Sequence, residues 1–251
     1  MSSLRQEADG KVLILTIDRD EKRNALNTEL CMAIADAVNH ITLEDEAPIR
    51  AVLIRGEGRA FCAGADLSGE GGGVYGDGFL AALQHMLTSL LHCPVPVIAD
   101  IQGPAIGAGA QLSLACDLRV VGPDAWFAVP PAKLGFALDN WTIRRAVSLL
   151  GGSVARGLLL AAQRIDAQQA HNVGYVHVQG DSAAALDFAH EVSGNAPLSM
   201  RQLKSVLNDE GFGFDLSVKQ QEDYRAAWNS EDAKEARAAR SEKRAPEFKA
   251  R

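Results

Sequence analysis

An α/β fold is expected here from three observations. Short apolar runs alternate with helix-spaced segments through the first two-thirds of the chain, glycine-rich junctions separate several of them, and the last third reads as helices only. In order, residues 11–18 form an apolar strand, and residues 27–43 carry the helical spacing Leu30, Ile34, Val38 and Ile41. Residues 49–56 are strand again. Glycine is so frequent across 68–78 that regular structure is expected only from the helix at 79–92. Pro94 and Pro96 stop that helix and lead into a strand at 97–101. A helix at 108–115 precedes strands at 116–121 and 125–129, and helices follow at 142–150, 153–162 and 167–173. After a short strand at 174–179 come helices at 183–193, 199–208, 215–229 and 232–240. Such alternation builds a crossover-connected sheet with helices outside. The pattern fits a doubly wound sheet and a spiral of ββα turns equally well.

Composition narrows the function classes. The 251 residues supply ample core material for one large domain, or one domain with an appendage, and 47% hydrophobic with 23% charged residues is ordinary for a globular protein. Twenty-five basic against 32 acidic residues leave a net charge of −7, which argues against a general nucleic-acid binder. No apolar run is long enough to span a bilayer, and Met-Ser-Ser-Leu-Arg-Gln-Glu is no signal peptide, so a soluble cytoplasmic protein is expected. Cys31, Cys62, Cys93 and Cys116 match no metal-ligand spacing and read as reduced, buried thiols.

Two glycine-rich stretches say most about chemistry. Phe61-Cys62-Ala63-Gly64-Ala65-Asp66-Leu67 follows the strand at 49–56, and Gln102-Gly103-Pro104-Ala105-Ile106-Gly107-Ala108-Gly109-Ala110-Gln111-Leu112 follows the next strand and opens a helix. Small residues at such junctions leave backbone N–H groups uncovered, and two of them aimed at one point form an oxyanion hole. A lone Gly-x-Gly would mark only a tight turn. Two such motifs, joined by Cys116-Asp117-Leu118-Arg119, resemble the signature of the crotonase (enoyl-CoA hydratase/isomerase) superfamily, from Arg19–Asn27 to the C-terminal tail.

The resemblance implies a crotonase-like ββα spiral with a C-terminal helical oligomerisation region. Residues 1–195 would form the core with the CoA and acyl site, and 196–251 would pack subunits into a homotrimer or a dimer of trimers. It also implies that the N–H groups of Ala65 and Ala108 polarise the thioester carbonyl of an acyl-CoA. Lys22 and Arg23, with Ala25, take the place of the CoA-phosphate grip, a local basic patch against the net negative charge. Ala63, Ala65, Asp66 and Leu67 match the adenine-lining loop, and Lys243, Arg244, Phe248 and Lys249 match a tail that reaches CoA across a subunit boundary. Taken singly, each basic residue also reads as a solvated surface charge. The ligand is then a CoA thioester, with no prosthetic group and no metal.

Family hydratases use two glutamates, at the positions held here by Gln111 and Pro131. An amide does not titrate in the useful range, and proline offers no polar side-chain atom, so ordinary hydration is not expected. Asp139, in Leu134-Gly135-Phe136-Ala137-Leu138-Asp139-Asn140-Trp141, resembles the aspartate of dienoyl-CoA isomerases and haloaroyl-CoA dehalogenases; it equally suits the cap of the following helix. Phe136 and Trp141 flank it and would shape an acyl pocket, whereas Trp126 and Phe127 read as core. His85 and His92 share a helix face, where a ligand pair is conceivable, and read as surface or groove histidines, as Arg144 and Arg145 read as surface or subunit-contact charges.

Two functions follow. One is an acyl-CoA binder without hydratase activity, as in an actinobacterial branch that the motifs resemble, which lacks both glutamates, binds fatty acyl-CoA and hands it to lipid-synthesis enzymes. The other is an active crotonase-family enzyme, a hydratase, isomerase or thioesterase using Asp139 and bound water.

Overall fold

The computed structural model describes residues 3–43, 49–67, 77–208, 225, 229–244 and 246. Its first two strands, β1 (Leu4–Asp9) and β2 (Val12–Ile17), pair antiparallel across Gly10, whose φ of +57° suits the tight turn. From β2 onward the pairing is parallel: β3 (Ala51–Gly56), β4 (Val97–Ile101), β6 (Leu118–Val121) and β9 (Val178–Gln179) complete a six-stranded sheet in the order β1-β2-β3-β4-β6-β9. A second sheet holds β5 (Ala105–Ile106), β7 (Trp126–Ala128) and β8 (Ile165–Asp166).

The crossovers are helical, as the alternation requires. Asn27 caps α1 (Thr28–Asn39) by accepting the Leu30 N–H at 2.9 Å. α2 (Asp77–His92) links β3 to β4, and α3 (Ala108–Ala115) links β5 to β6. All eight residues of α3 are buried. Further helices are α4 (Pro131–Leu134), α5 (Asn140–Leu150), α6 (Gly152–Leu160), α7 (Ala167–Asn172), α8 (Ser182–Ser193), α9 (Pro197–Asn208) and α10 (Glu231–Ser241). A core cluster forms where Val12, Ile14, Leu53, Ile98 and Val120 of the large sheet meet Ala185, Ala189 and Val192 of α8.

The chain divides into two compact units. One comprises Met1–Phe127 and Ile165–Glu210, the other Ala128–Arg164 and Gly211–Arg251.

Several expectations shift. β1 has no counterpart in the sequence pattern, because only Leu4 of its six residues is buried. The strand expected at 174–179 shrinks to two residues, and the helix expected at 27–43 ends at Asn39. The helix expected at 215–229 lies almost wholly outside the described residues. Arg145 is buried while Arg144 is exposed, so the surface reading holds for Arg144 alone.

Two buried polar groups tie elements together. Lys204 of α9 donates to the carbonyls of Leu90 and Val95, each at 2.9 Å, and pairs with Asp117 at 2.7 Å. Across the sheet, Thr16, Arg55 and Asp100 stand in register on β2, β3 and β4. Arg55 Nε donates to Thr16 Oγ1 at 3.0 Å, and Gln102 Nε2 donates to Asp100 Oδ1 at 2.6 Å. Burial pushes the Asp100 carboxyl above its ordinary range, against the hydrogen bonds from Gln102 and Ser182 and the charge of Arg55.

Candidate functional site

The two glycine motifs lie in the first unit, laced together backbone to backbone. The Cys62 N–H donates to Pro104 O at 3.1 Å, and Cys62 O accepts from the Ile106 N–H at 2.9 Å. Nothing larger than glycine fits at the contact points. A Cβ on Gly64 would come within 2.8 Å of Ile106 O and 3.7 Å of Ala108 N, and one on Gly109 within 2.2 Å of Cys62 O. At Gly103 it would meet Arg59 O at 2.1 Å. Gly64 also sits at φ +102°, a conformation L side chains rarely adopt.

On its other side the first motif pairs with residues 23–26. The Ala63 N–H donates to Arg23 O at 3.0 Å, the Leu26 N–H to Gly64 O at 2.7 Å, and the Asp66 N–H to Leu26 O at 2.7 Å. Residues 64 and 66 thus turn towards Leu26, so strand alternation sends the Ala65 N–H away from it. Ala108 is the first residue of α3, where a helical N–H has no intrahelical acceptor. Neither the Ala65 nor the Ala108 N–H has a hydrogen-bond partner among the described residues. Two unsatisfied donors beside one glycine, one of them at the positive end of a buried helix, suit an oxygen that gathers negative charge.

Comparisons with known proteins give the family and the fold. The enoyl-CoA hydratase/isomerase family model matches residues 7–251. The chain belongs to that family. It is 43% identical over 243 residues to the probable enoyl-CoA hydratase echA6 of Mycobacterium leprae, covering 96% of this chain and 97% of that protein. It superposes on carnitinyl-CoA hydratase from Mycobacterium avium with a TM-score of 0.83 and 31% identity, each chain covered to 99%. An enoyl-CoA hydratase/isomerase from Pseudoalteromonas atlantica gives 0.84 and 30%, covering 99% of this chain and 100% of that one. The crotonase-like fold expected from the motifs is therefore the fold of this chain.

Lys22, Arg23, Ala25, Ala63, Ala65, Asp66, Leu67 and Ala108 all lie in the first unit. Lys22 and Arg23 are exposed, whereas Ala25 is buried. Gln111, one turn into α3, is 6% exposed and donates its N–H to Gly107 O at 2.9 Å. Pro131, Phe136, Asp139 and Trp141 belong to the second unit. Pro131 opens α4, Phe136 is half-buried and Trp141 is buried. Asp139 caps α5, accepting the Thr142 N–H at 2.8 Å on one oxygen and the Thr142 hydroxyl at 2.7 Å on the other. Phe248 and Lys249 lie outside the described residues. Arg244, in contrast, is held by Glu235 and Glu242 in the second unit.

His85 and His92 are both exposed. All four cysteines are free and buried, and burial pushes Cys31 and Cys62 up to about 12, so both are inert thiols at neutral pH. Among the described residues, no cluster of three or more His, Cys, Asp or Glu is placed to hold a metal, and no helix is long and apolar enough to cross a membrane.

Sequence reasoning missed Arg19 and Asn24. Asn24 is fully buried; its Nδ2 donates to Glu57 O and Ala60 O at 2.8 and 2.7 Å, and its Oδ1 accepts the Arg19 N–H at 3.0 Å. The signal available was their place in the Arg19–Asn27 stretch with which the resemblance begins.

Proposed function

We propose that the protein binds fatty acyl-CoA thioesters, with the thioester oxygen between the N–H groups of Ala65 and Ala108, and has little or no hydratase activity. The observation that carries this reading is the pair of unpartnered amides beside Gly64, retained in a chain with no titratable group at positions 111 and 131. The amides would polarise the carbonyl, while Gln111 could orient a water but not deprotonate it. CoA would lie with its phosphates near Lys22 and Arg23 and its adenine against Ala63, Asp66 and Leu67, without any prosthetic group. Self-association through the C-terminal helices and delivery of the acyl-CoA to lipid-synthesis enzymes in the cytoplasm belong to the same reading. In this reading Asp139 caps α5, with Thr142 bonded to both of its oxygens, and is given no step at the acyl group.

Steady-state hydration of crotonyl-CoA tests it. Each missing acid or base removes about 10²–10⁴-fold, roughly 3–5 kcal/mol of barrier lowering, so turnover should lie orders of magnitude below that of a hydratase with both glutamates. Gln111→Glu alone should not restore it, because Pro131 still supplies no partner. Octanoyl-CoA should nevertheless bind more tightly than octanoic acid by calorimetry. Rapid hydration by the unmodified protein, or equal affinity for the free acid, would sink this reading.

A further inference from the structure

Arg19 is a cation near the site whose charge is spent inside the protein. Its side chain is 13% exposed and pairs through Nη2 with Asp66 Oδ2 at 2.8 Å, a carboxylate itself only 11% exposed. Its Nη1 donates to Ala25 O. One guanidinium thus holds both members of the short ladder that presents the Ala65 N–H: the 23–26 segment through Ala25 and the first glycine motif through Asp66. Lys22 and Arg23, by contrast, are exposed.

The segment that Arg19 braces needs a brace. After the 3-10 turn Asp20–Lys22, Arg23 and Asn24 adopt φ of 52° and 59°, two successive left-handed residues that are not glycine. This bend turns Arg23 O and both polar groups of Leu26 towards residues 63–66. Asn24 closes the turn on Arg19, its N–H donating to Arg19 O at 2.9 Å. Hydrogen bonds weaken steeply as they bend, so a ladder free to rock would aim the Ala65 N–H poorly.

We propose that Arg19 is a positioning residue for the thioester-binding amide of Ala65, and not a contact to the ligand's phosphates. The inference rests on the acyl-CoA reading above. Arginine suits the task because its planar fork bonds two acceptors at fixed geometry, which lysine's single ammonium does not reproduce.

The test compares octanoyl-CoA with octyl-CoA, a thioether that lacks the carbonyl, by calorimetry on the full chain. The unmodified protein should prefer the thioester. Arg19→Gln and Arg19→Lys should each cut that preference by about three- to tenfold, the worth of one well-aimed hydrogen bond, and leave octyl-CoA affinity within about twofold. The infrared carbonyl stretch of bound ¹³C-labelled octanoyl-CoA should move back towards its solution value in both variants. Should Arg19→Gln fail to fold, Asp66→Asn releases the same arm of the fork and should lower the preference likewise. A parallel loss of both ligands in Arg19→Gln, restored in Arg19→Lys, would make Arg19 a phosphate contact and overturn the proposal, as would an unchanged preference in every variant. A wild-type protein with no preference for the thioester would overturn the acyl-CoA reading along with it.

Discussion

Replacing Gly109 by alanine sets helix propensity against a backbone clash, and the structure decides the sign. Gly109 is the second residue of α3, where alanine ordinarily gains up to about 1 kcal/mol over glycine. Here its Cβ would lie 2.7 Å from Cys62 Cβ, 2.8 Å from Cys62 Sγ and 2.2 Å from Cys62 O, the last more than 1 Å inside ordinary contact. The obstructing carbonyl is backbone, so no rotamer change relieves it. Opening the gap must stretch the bonds that join the two motifs, Ile106 N–H to Cys62 O at 2.9 Å and Cys62 N–H to Pro104 O at 3.1 Å. Two such bonds are worth about 1 kcal/mol each, and overpacking adds about 1–3 kcal/mol of strain. After the propensity gain, the net loss is about 2–4 kcal/mol. For a chain of this size that lowers Tm by roughly 5–15 °C in scanning calorimetry. Gly78→Ala is the matched control: it too is the second residue of a helix, α2, but has nothing within 4 Å of its Cβ, so it should leave Tm unchanged or raise it. Gly109→Ala should also lose the preference for octanoyl-CoA over octyl-CoA, because the Ala108 N–H moves with the clash. A Gly109→Ala protein that melts at or above the wild-type temperature would refute the packing argument.

Asp139→Ala should cost about 1–2 kcal/mol in denaturant unfolding, the usual worth of a helix cap, and Asp139→Asn less, since its side-chain oxygen still accepts from Thr142. An Asp139→Ala protein of unchanged stability would deny the cap. Asp100 makes a pH-dependent prediction. Its carboxyl binds a proton more tightly folded than unfolded, because burial raises its pKa. Unfolding therefore releases a proton above about pH 4, the ordinary aspartate value, and Asp100 costs stability progressively as pH rises through its raised folded pKa. Asp100→Asn removes this dependence, so the stability of the variant relative to wild type should climb across that window. Parallel stability curves from pH 4 to 7 would contradict it.

The elements legible in the sequence are those whose pattern is local. β2, β3 and β4 are nearly continuous apolar runs because a parallel sheet buries both faces, and α1 begins where Asn27 supplies a cap. β1 was illegible because it is an edge strand with five of its six residues exposed. Arg145 reads as a surface or subunit-contact charge yet is buried, and Lys204, which no local pattern marks, is buried because carbonyls and a carboxylate from distant segments surround it.

The amino-acid sequence by itself determined which chemistry is present. Glycine at 64, 107 and 109 permits exposed amides, and glutamine at 111 with proline at 131 withholds a titratable pair; these are properties of residue type, independent of neighbours. Only the tertiary structure decided how those groups meet. That Gly64 lies against Ile106, Gly109 against Cys62, and Arg19 between Ala25 and Asp66 depends on contacts between segments far apart in the chain. Local propensity carries no trace of them. They exist because parallel strands β3 and β4 run side by side, which delivers two glycine loops to one place, where the Ala65 and Ala108 amides have no partner among the described residues.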